Sequence, residues 1–406
     1  SQELATWDGE LYLELHRGTL TTQAFVKKMN RKLEFMLRNI ELLHSLAEIK
    51  NYPQSEIETL WKTLLINQFH DILPGSSINL VYQDTHREYK EMVTAIEKLK
   101  QQWETKNTNN DNNSFTVLNS YSSEFAGLIE IPEKFLNEKC ISDGKNSYFV
   151  QKSDNKAYIA VTLPPLSKIV FSKGGEYSNV NPSNKVAPLV LENELMKYEF
   201  NAKGRIISIF DKTKKFEYCL PNSESNVLTI YDDHPHNWDA WDIDIYYENS
   251  SICNLEATGY EITNEGQLFK QIQFSYQFGN SGFTQEIKLS KGTKILEINN
   301  KVNWLEKHKM LRAAYPANIV NAKAYYDIAF GFVERNNHRN TTWDYAKFEC
   351  AAHKYGGLSS QSNGLFVLND SKYGYKINEN IIDVCLLRSP TDPDPLADQG
   401  QHEFKL

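Results

Sequence analysis

Cysteine is scarce in this chain: Cys140, Cys219, Cys253, Cys350 and Cys385 are the five in 406 residues. None forms a C-x-x-C pair, which argues against a structural zinc knuckle. An odd, scattered set reads as free thiols in a reducing compartment, and a cytosolic home fits best. Long apolar runs are also missing: no stretch of about 18 apolar residues occurs, so no segment reads as a membrane-spanning helix. Positive charge is in deficit, with a net charge of −8. Nucleic-acid phosphates demand a basic surface, so that class of partner is excluded. No G-x-S-x-G elbow, G-x-x-x-x-G-K-[ST] loop or G-x-G-x-x-G fingerprint appears, which removes serine hydrolase, NTPase and dinucleotide readings.

What is present favours a folded, multi-unit protein. Hydrophobic residues make up 40% and aromatics 12%, enough for large cores, and the length predicts two or three folding units. From Thr22 to about Ile49, the residues Val26, Met29, Leu33, Met36, Ile40, Leu43 and Ala47 recur at steps of three and four, predicting a long helix with one buried stripe. Asn51-Tyr52-Pro53 breaks it. Ser55 with Glu58 reads as a capping box opening a second helix, whose stripe is Ile57, Leu60, Trp61, Leu64 and Leu65. That helix is expected to deliver Gln68, Phe69, His70 and Asp71 just before the Pro74-Gly75 breaker. A third helix carries Val81, Tyr89, Met92, Ile96, Leu99 and Trp103 on one side, so residues 23–105 predict a three-helix bundle.

Residues 106–114, rich in Asn, read as a linker. Beyond them come short alternating runs such as FTVLN, YIAVTL, GRIISIFD, NVLTIYD, KQIQFSYQF, KILEINNKVNW and LFVLND, separated by turn residues. That pattern predicts antiparallel β-structure: a small β-module over 115–190 and a large β-sandwich over 191–406. The fold class is therefore α+β.

A histidine beside an acid at the end of a rigid element can be aimed into a cleft: imidazole is a common metal ligand, and a carboxylate accepts from hydroxyls. An ordinary surface pair is the plain alternative for His70-Asp71. The whole phrase NQFHDILPGSSI, with GELYLELHRGT (9–19), WDAWDIDIYY (238–247) and LLRSPTDPDPLADQGQHEF (386–404), resembles the α-mannosidases of glycoside hydrolase family 38, in particular their cytosolic and vacuolar branch.

The resemblance implies retaining hydrolysis of terminal α-linked mannose from oligosaccharides, with Zn2+ (or Co2+) holding the sugar hydroxyls. It implies that residues 1–22, where the alternation of GELYLELHRG reads as a short strand, end the catalytic α/β domain, and that the sandwich continues past Leu406. By position, His70 corresponds to the family's later metal-ligating histidine and Asp71 to a carboxylate that contacts sugar hydroxyls. His16, Arg17, Trp238, Asp239, Trp241, Asp242 and Arg388 are the further substrate-pocket candidates. For these the plain alternatives are a surface His-Arg pair, a buried aromatic corner with satisfied acids, and a solvent-facing arginine at a strand end.

The family's H-x-H-x-D motif is absent. The one H-x-H, His234-Pro235-His236, is followed by Asn237, and the nucleophile and acid/base segment is not found. One histidine cannot hold zinc, which takes about four ligands. The chain alone is thus expected to be an inactive half-site whose catalytic carboxylates come from an upstream domain of the same protein. It is also expected to assemble with copies of itself, in the cytoplasm or a vacuole- or lysosome-type compartment. The competing reading is a non-catalytic carbohydrate-binding or assembly module.

Overall fold

The computed structural model describes residues 3–4, 6–7, 10–12, 14–47, 51–108, 111–153, 155–176 and 189–406. Parts of the expectations for the first 22 residues, the end of the first helix, the linker and the small β-module fall on residues outside that set.

Three helices come first: α1 (Ala24–Ser45), α2 (Gln54–Ile66) and α3 (Asn79–Asn107). They share one core in which Val26, Leu33, Leu37 and Ile40 meet Ile57, Leu60 and Leu64 and, from α3, Tyr82, Tyr89, Met92, Ile96 and Leu99. The stripes read from periodicity are the buried faces, because a 3.6-residue turn brings every third or fourth side chain to one side. Met29 and Met36 pack at the margin of this core, where a flexible thioether fills uneven gaps.

Three local expectations differ. Ser55 and Glu58 form no capping box: α2 begins before Ser55, after Pro53. Ser55 Oγ instead donates to Glu56, and Glu58 pairs with Lys62 at 2.6 Å. Leu65, placed on the buried stripe, is 57% exposed. Among the described residues before α1, none lies in a strand. Glu14–His16 and Gly18–Leu20 are 3₁₀ turns, because the amides there bond back locally: both Thr21 N and Thr22 N donate to Gly18 O at 3.0 Å.

The β-region is antiparallel throughout its paired strands and has more layers than one sandwich. Strands between Ser114 and Lys173 form a four-stranded and a three-stranded sheet around Ile131, Phe135, Ile141, Ile159, Val161 and Phe171. From Val190 onward come four sheets, of four, six, five and four strands. The six-stranded sheet sets Val227–Asp232 beside Lys309–Pro316, which pairs in turn with Ile381–Arg388. In the five-stranded sheet Gly400–Lys405 pairs with Leu296–Trp304. A single large core, with Phe274, Ile287, Trp304, Leu311, Tyr375 and Leu386 among its members, joins these sheets.

Candidate functional site

The His70-Asp71 pair sits one turn beyond α2, since that helix ends at Ile66 and residues 67–75 form consecutive turns. These turns are fixed from two of the helices. Gln68 Nε2 donates to Asn30 Oδ1 on α1 at 2.9 Å, and buried Asn67 donates to Glu88 on α3 at 2.7 Å. Tyr82 Oη, from α3, accepts from Ser77 N at 2.9 Å and donates to Asp71 O at 3.1 Å. Gly75 has φ +101°, and a Cβ there would come 2.6 Å from Thr22 O, so the close approach as well as the dihedral requires glycine.

Lys27 completes the bracing. Buried on α1, its ammonium donates to Thr22 O, to Leu73 O at 3.0 Å and to Pro74 O at 3.1 Å. Burial, partly opposed by Asp398, pulls this ammonium down to about 7.

On this braced turn the two side chains of interest are left outward. The His70 side chain is 79% exposed and that of Asp71 41%, with His70 Nε2 3.5 Å from Asp71 Oδ2. Asp71 Oδ1 accepts from Ser76 Oγ at 3.2 Å, which orients the carboxylate and leaves acceptor capacity for a ligand hydroxyl. Rigid backbone under exposed functional groups is the arrangement that binding sites need.

The other three phrases meet beside this turn. Arg388 is fully buried, not solvent-facing: Nε donates to Asp233 at 2.8 Å, and Nη1 donates to Thr22 Oγ1 at 3.2 Å and Ala240 O at 3.3 Å. Thr22 in turn donates to Ala240 O at 2.9 Å, and Thr19 N donates to Trp241 O at 3.2 Å. Gly18 lies against Arg388, where a Cβ would stand 1.9 Å from Nη1.

Arg17 is buried as well. Its guanidinium lies 4.4 Å from the Phe348 ring centroid, donates to Glu14 O and Ala346 O, and reaches Asp242 at 3.5 Å. Asp239 accepts from Thr391 N at 2.6 Å and lies 3.5 Å from His308 Nδ1. Thus Arg17, Asp239, Asp242 and Arg388 knit the junction from within.

His16, Trp238, His70 and Asp71 remain accessible, and Trp241 is half-buried. Trp238 is 63% exposed with φ +62°. A large side chain in the left-handed region is strained, and such strain gathers at ligand-binding positions. Trp241 packs edge-on against it, ring centroids 5.7 Å apart.

Sequence reasoning missed the residues that make the junction: Gly18, Thr22, Lys27, Asp233, Asp394 and Asp398. A readable signal existed for one of them. Gln23, Lys27, Asn30 and Arg31 recur at helical spacing beside the apolar stripe and are all buried, marking a face of α1 that packs on polar structure.

As to metal, among the described residues no group of three or more His, Cys, Asp and Glu could hold an ion. His70 can lend one imidazole and Asp71 one carboxylate, short of the roughly four ligands of zinc. The described residues therefore do not build a complete zinc site.

A helical module braced on a many-sheeted antiparallel body is an architecture found among solved glycosidases. The fold matches the crystal structure of an alpha-mannosidase from Enterococcus faecalis V583, with TM-score 0.78 and 16% identity over 97% of this chain and 55% of that one. Two family models match: the alpha mannosidase middle domain over residues 14–106, and the glycosyl hydrolases family 38 C-terminal domain over residues 191–396.

The chain belongs to glycoside hydrolase family 38. Alpha-mannosidase 2C1 of Homo sapiens is 31% identical across 100% of this chain, and the alpha-mannosidase of Saccharomyces cerevisiae is 32% identical across 99%. The chain spans 39% and 36% of those two proteins' lengths. No helix among the described residues is long and apolar enough to cross a membrane.

Proposed function

We propose that this chain is the middle and C-terminal part of a retaining α-mannosidase that removes terminal α-linked mannose from oligosaccharides. The observation that carries the reading is the meeting of four sequence phrases at one junction, where a braced turn leaves the His70 and Asp71 side chains exposed, in a chain whose full-length relatives carry the name alpha-mannosidase.

In this reading Asp71 accepts hydrogen bonds from sugar hydroxyls, and Trp238 offers a flat apolar face to the ring. His16 and Trp241 line the approach. Arg17, Asp239, Asp242 and Arg388 act through the loops that they hold. His70 would supply one imidazole to a divalent metal, zinc or cobalt, whose other ligands would come from residues outside this chain; when bound, such an ion would serve to orient the sugar. The nucleophile and the acid/base, which in retaining glycosidases stand about 5 Å apart, also come from outside the chain. The cysteines are all free thiols, which supports a reducing, cytosolic compartment.

The test is hydrolysis of an aryl α-mannoside by the full polypeptide carrying this chain, with and without added zinc or cobalt, in the parent and in His70→Ala. The expected result is metal-stimulated turnover that the variant loses together with bound metal. Normal turnover and metal content in His70→Ala would remove His70 from the site.

A further inference from the structure

A second feature lies between α1 and the strand Gly400–Lys405. There a cavity of about 440 Å3 is lined by both modules. Its charge is one-sided: Lys28, Lys32, Lys301 and Lys372 face it, with Glu403 the one acid in the lining.

Three of these lysines have an ordinary explanation. Lys28 donates to the Glu403 carbonyl, Lys301 pairs with Glu286 at 3.0 Å, and Lys32 is an exposed helical lysine. Lys372 is different. It is 3% exposed, and its ammonium lies 4.1 Å from the centroid of the Phe404 ring. Among the described residues no carboxylate or carbonyl oxygen accepts from it.

The nearest acids are engaged elsewhere. Asp398 accepts from the Gln23 and Ala24 amides at 2.8 and 2.7 Å, and Asp370 accepts from Ser371 Oγ at 2.9 Å. His402 makes its contact with the Asp398 carbonyl at 2.8 Å. Burial pulls the Lys372 ammonium down to about 8, with Asp398 and Asp370 partly opposing. An ammonium largely withdrawn from water at the cavity wall, with a ring and no oxygen beside it, forfeits part of its hydration, and an anion entering the cavity would restore a partner.

We propose that this cavity is a binding site for a phosphate oxyanion, either inorganic phosphate or the phosphate of a sugar monophosphate, held by Lys372, Lys28 and Lys32 against a wall of Phe404 and Met29. Several lysine point charges converging from separate elements suit a doubly charged oxyanion. The volume lies in the range that accepts a small organic ligand. Because α1 and the β-body both contribute, the bound anion ties the helical module to the rest of the chain, and it stabilises the folded state by mass action.

The experiment is calorimetric titration of the full polypeptide at constant ionic strength with inorganic phosphate, a hexose 6-phosphate, the unphosphorylated hexose and chloride. It is run on the parent, Lys372→Met and Lys32→Gln. The expected result is saturable phosphate binding in the parent, weakened about tenfold or more by Lys372→Met, with no saturable response to hexose or chloride.

Tighter binding of the hexose phosphate than of phosphate identifies a sugar phosphate as the occupant. Equal binding identifies the free ion. Lys372→Met keeps the apolar stem and removes a buried charge, so it is expected to fold. If it does not, the exposed Lys32→Gln carries the test through a severalfold loss of affinity. Absence of saturable phosphate binding in the parent overturns the proposal, and so does an affinity unchanged in the variant that folds.

Discussion

Arg388 and Asp233 illustrate how much a single buried pair can decide. They are 155 residues apart in the chain, and both side chains are essentially sealed from solvent. Removing one partner strands the other charge, which typically costs about 3–5 kcal/mol, whereas replacing both by apolar groups is often close to neutral. Arg388→Met is therefore expected to lower the unfolding free energy by about 3–5 kcal/mol in denaturant titration. Asp233→Leu added to it should recover much of that loss, the shortfall being the bonds to Thr22 and Ala240. Equal stability of Arg388→Met and the parent would show that the pair does not hold the junction.

Lys27 makes a different prediction at the same scale. Its folded-state value of about 7 lies below the ordinary lysine range, so between pH 7 and 9 the unfolded chain holds the proton that the folded chain has released. Stability due to this group rises with pH across that window. Buried cysteines and tyrosines, whose values are pushed up, oppose the trend, and comparison with Lys27→Met cancels them. The parent's unfolding free energy should climb more steeply from pH 7 to 9 than the variant's, by up to about 1.4 kcal/mol per pH unit. Parallel slopes would mean that Lys27 stays charged among its three carbonyls.

Among the elements, the turn between α2 and α3 is the one on which the proposed function rests, because it carries His70 and Asp71. It has no regular structure of its own and is held by side chains from α1 and α3, so its conformation depends on Gly75 at φ +101°. Gly75→Ala adds a left-handed alanine, at roughly 1–2 kcal/mol, and pushes a methyl toward Thr22 O. Thermal unfolding should fall accordingly. Under the proposed function, mannoside hydrolysis by the full polypeptide should fall more than stability alone explains, because His70 and Asp71 ride on the displaced backbone. Full activity at a temperature where the variant is folded would argue that the turn's position is not critical.

The helices themselves were legible because their signal is periodic and local: Val26, Leu33 and Ile40 announce a buried face without knowledge of what covers it. The short strands were legible for the same reason. The 3₁₀ turns at 14–20 were not, since alternation over a few residues is shared by strands and by irregular chain. The capping box failed because S-x-x-E is satisfied equally by residues inside a helix, where Glu58 finds Lys62 one turn on.

For the molecule as a whole, the question is how the helical module stays registered on the β-body. The phrase SPTDPDPLADQG attracted attention in the sequence, yet nothing in it announced that two of its aspartates meet α1 and α3. Asp394 accepts from Gln23 Nε2 at 2.7 Å and Asn79 Nδ2 at 2.9 Å. Asp398 accepts from the Gln23 and Ala24 amides, capping α1 from another module, because Gln23 makes no side-chain cap of its own. Long-range caps leave no local pattern, which is why the junction was visible only as four separate phrases.

Asp398→Ala should cost about 0.5–2 kcal/mol, as the loss of a helix cap does, and it should also loosen the registry of the two modules. Hydrogen exchange at the Gln23 and Ala24 amides is expected to accelerate well beyond the change in global stability, and a protease should cut the segment 17–24 sooner. If exchange at these amides rises only in step with the whole molecule, the module is held by its other contacts. Asp398 is then one cap among several and not the fastening that sets where His70 stands relative to Trp238.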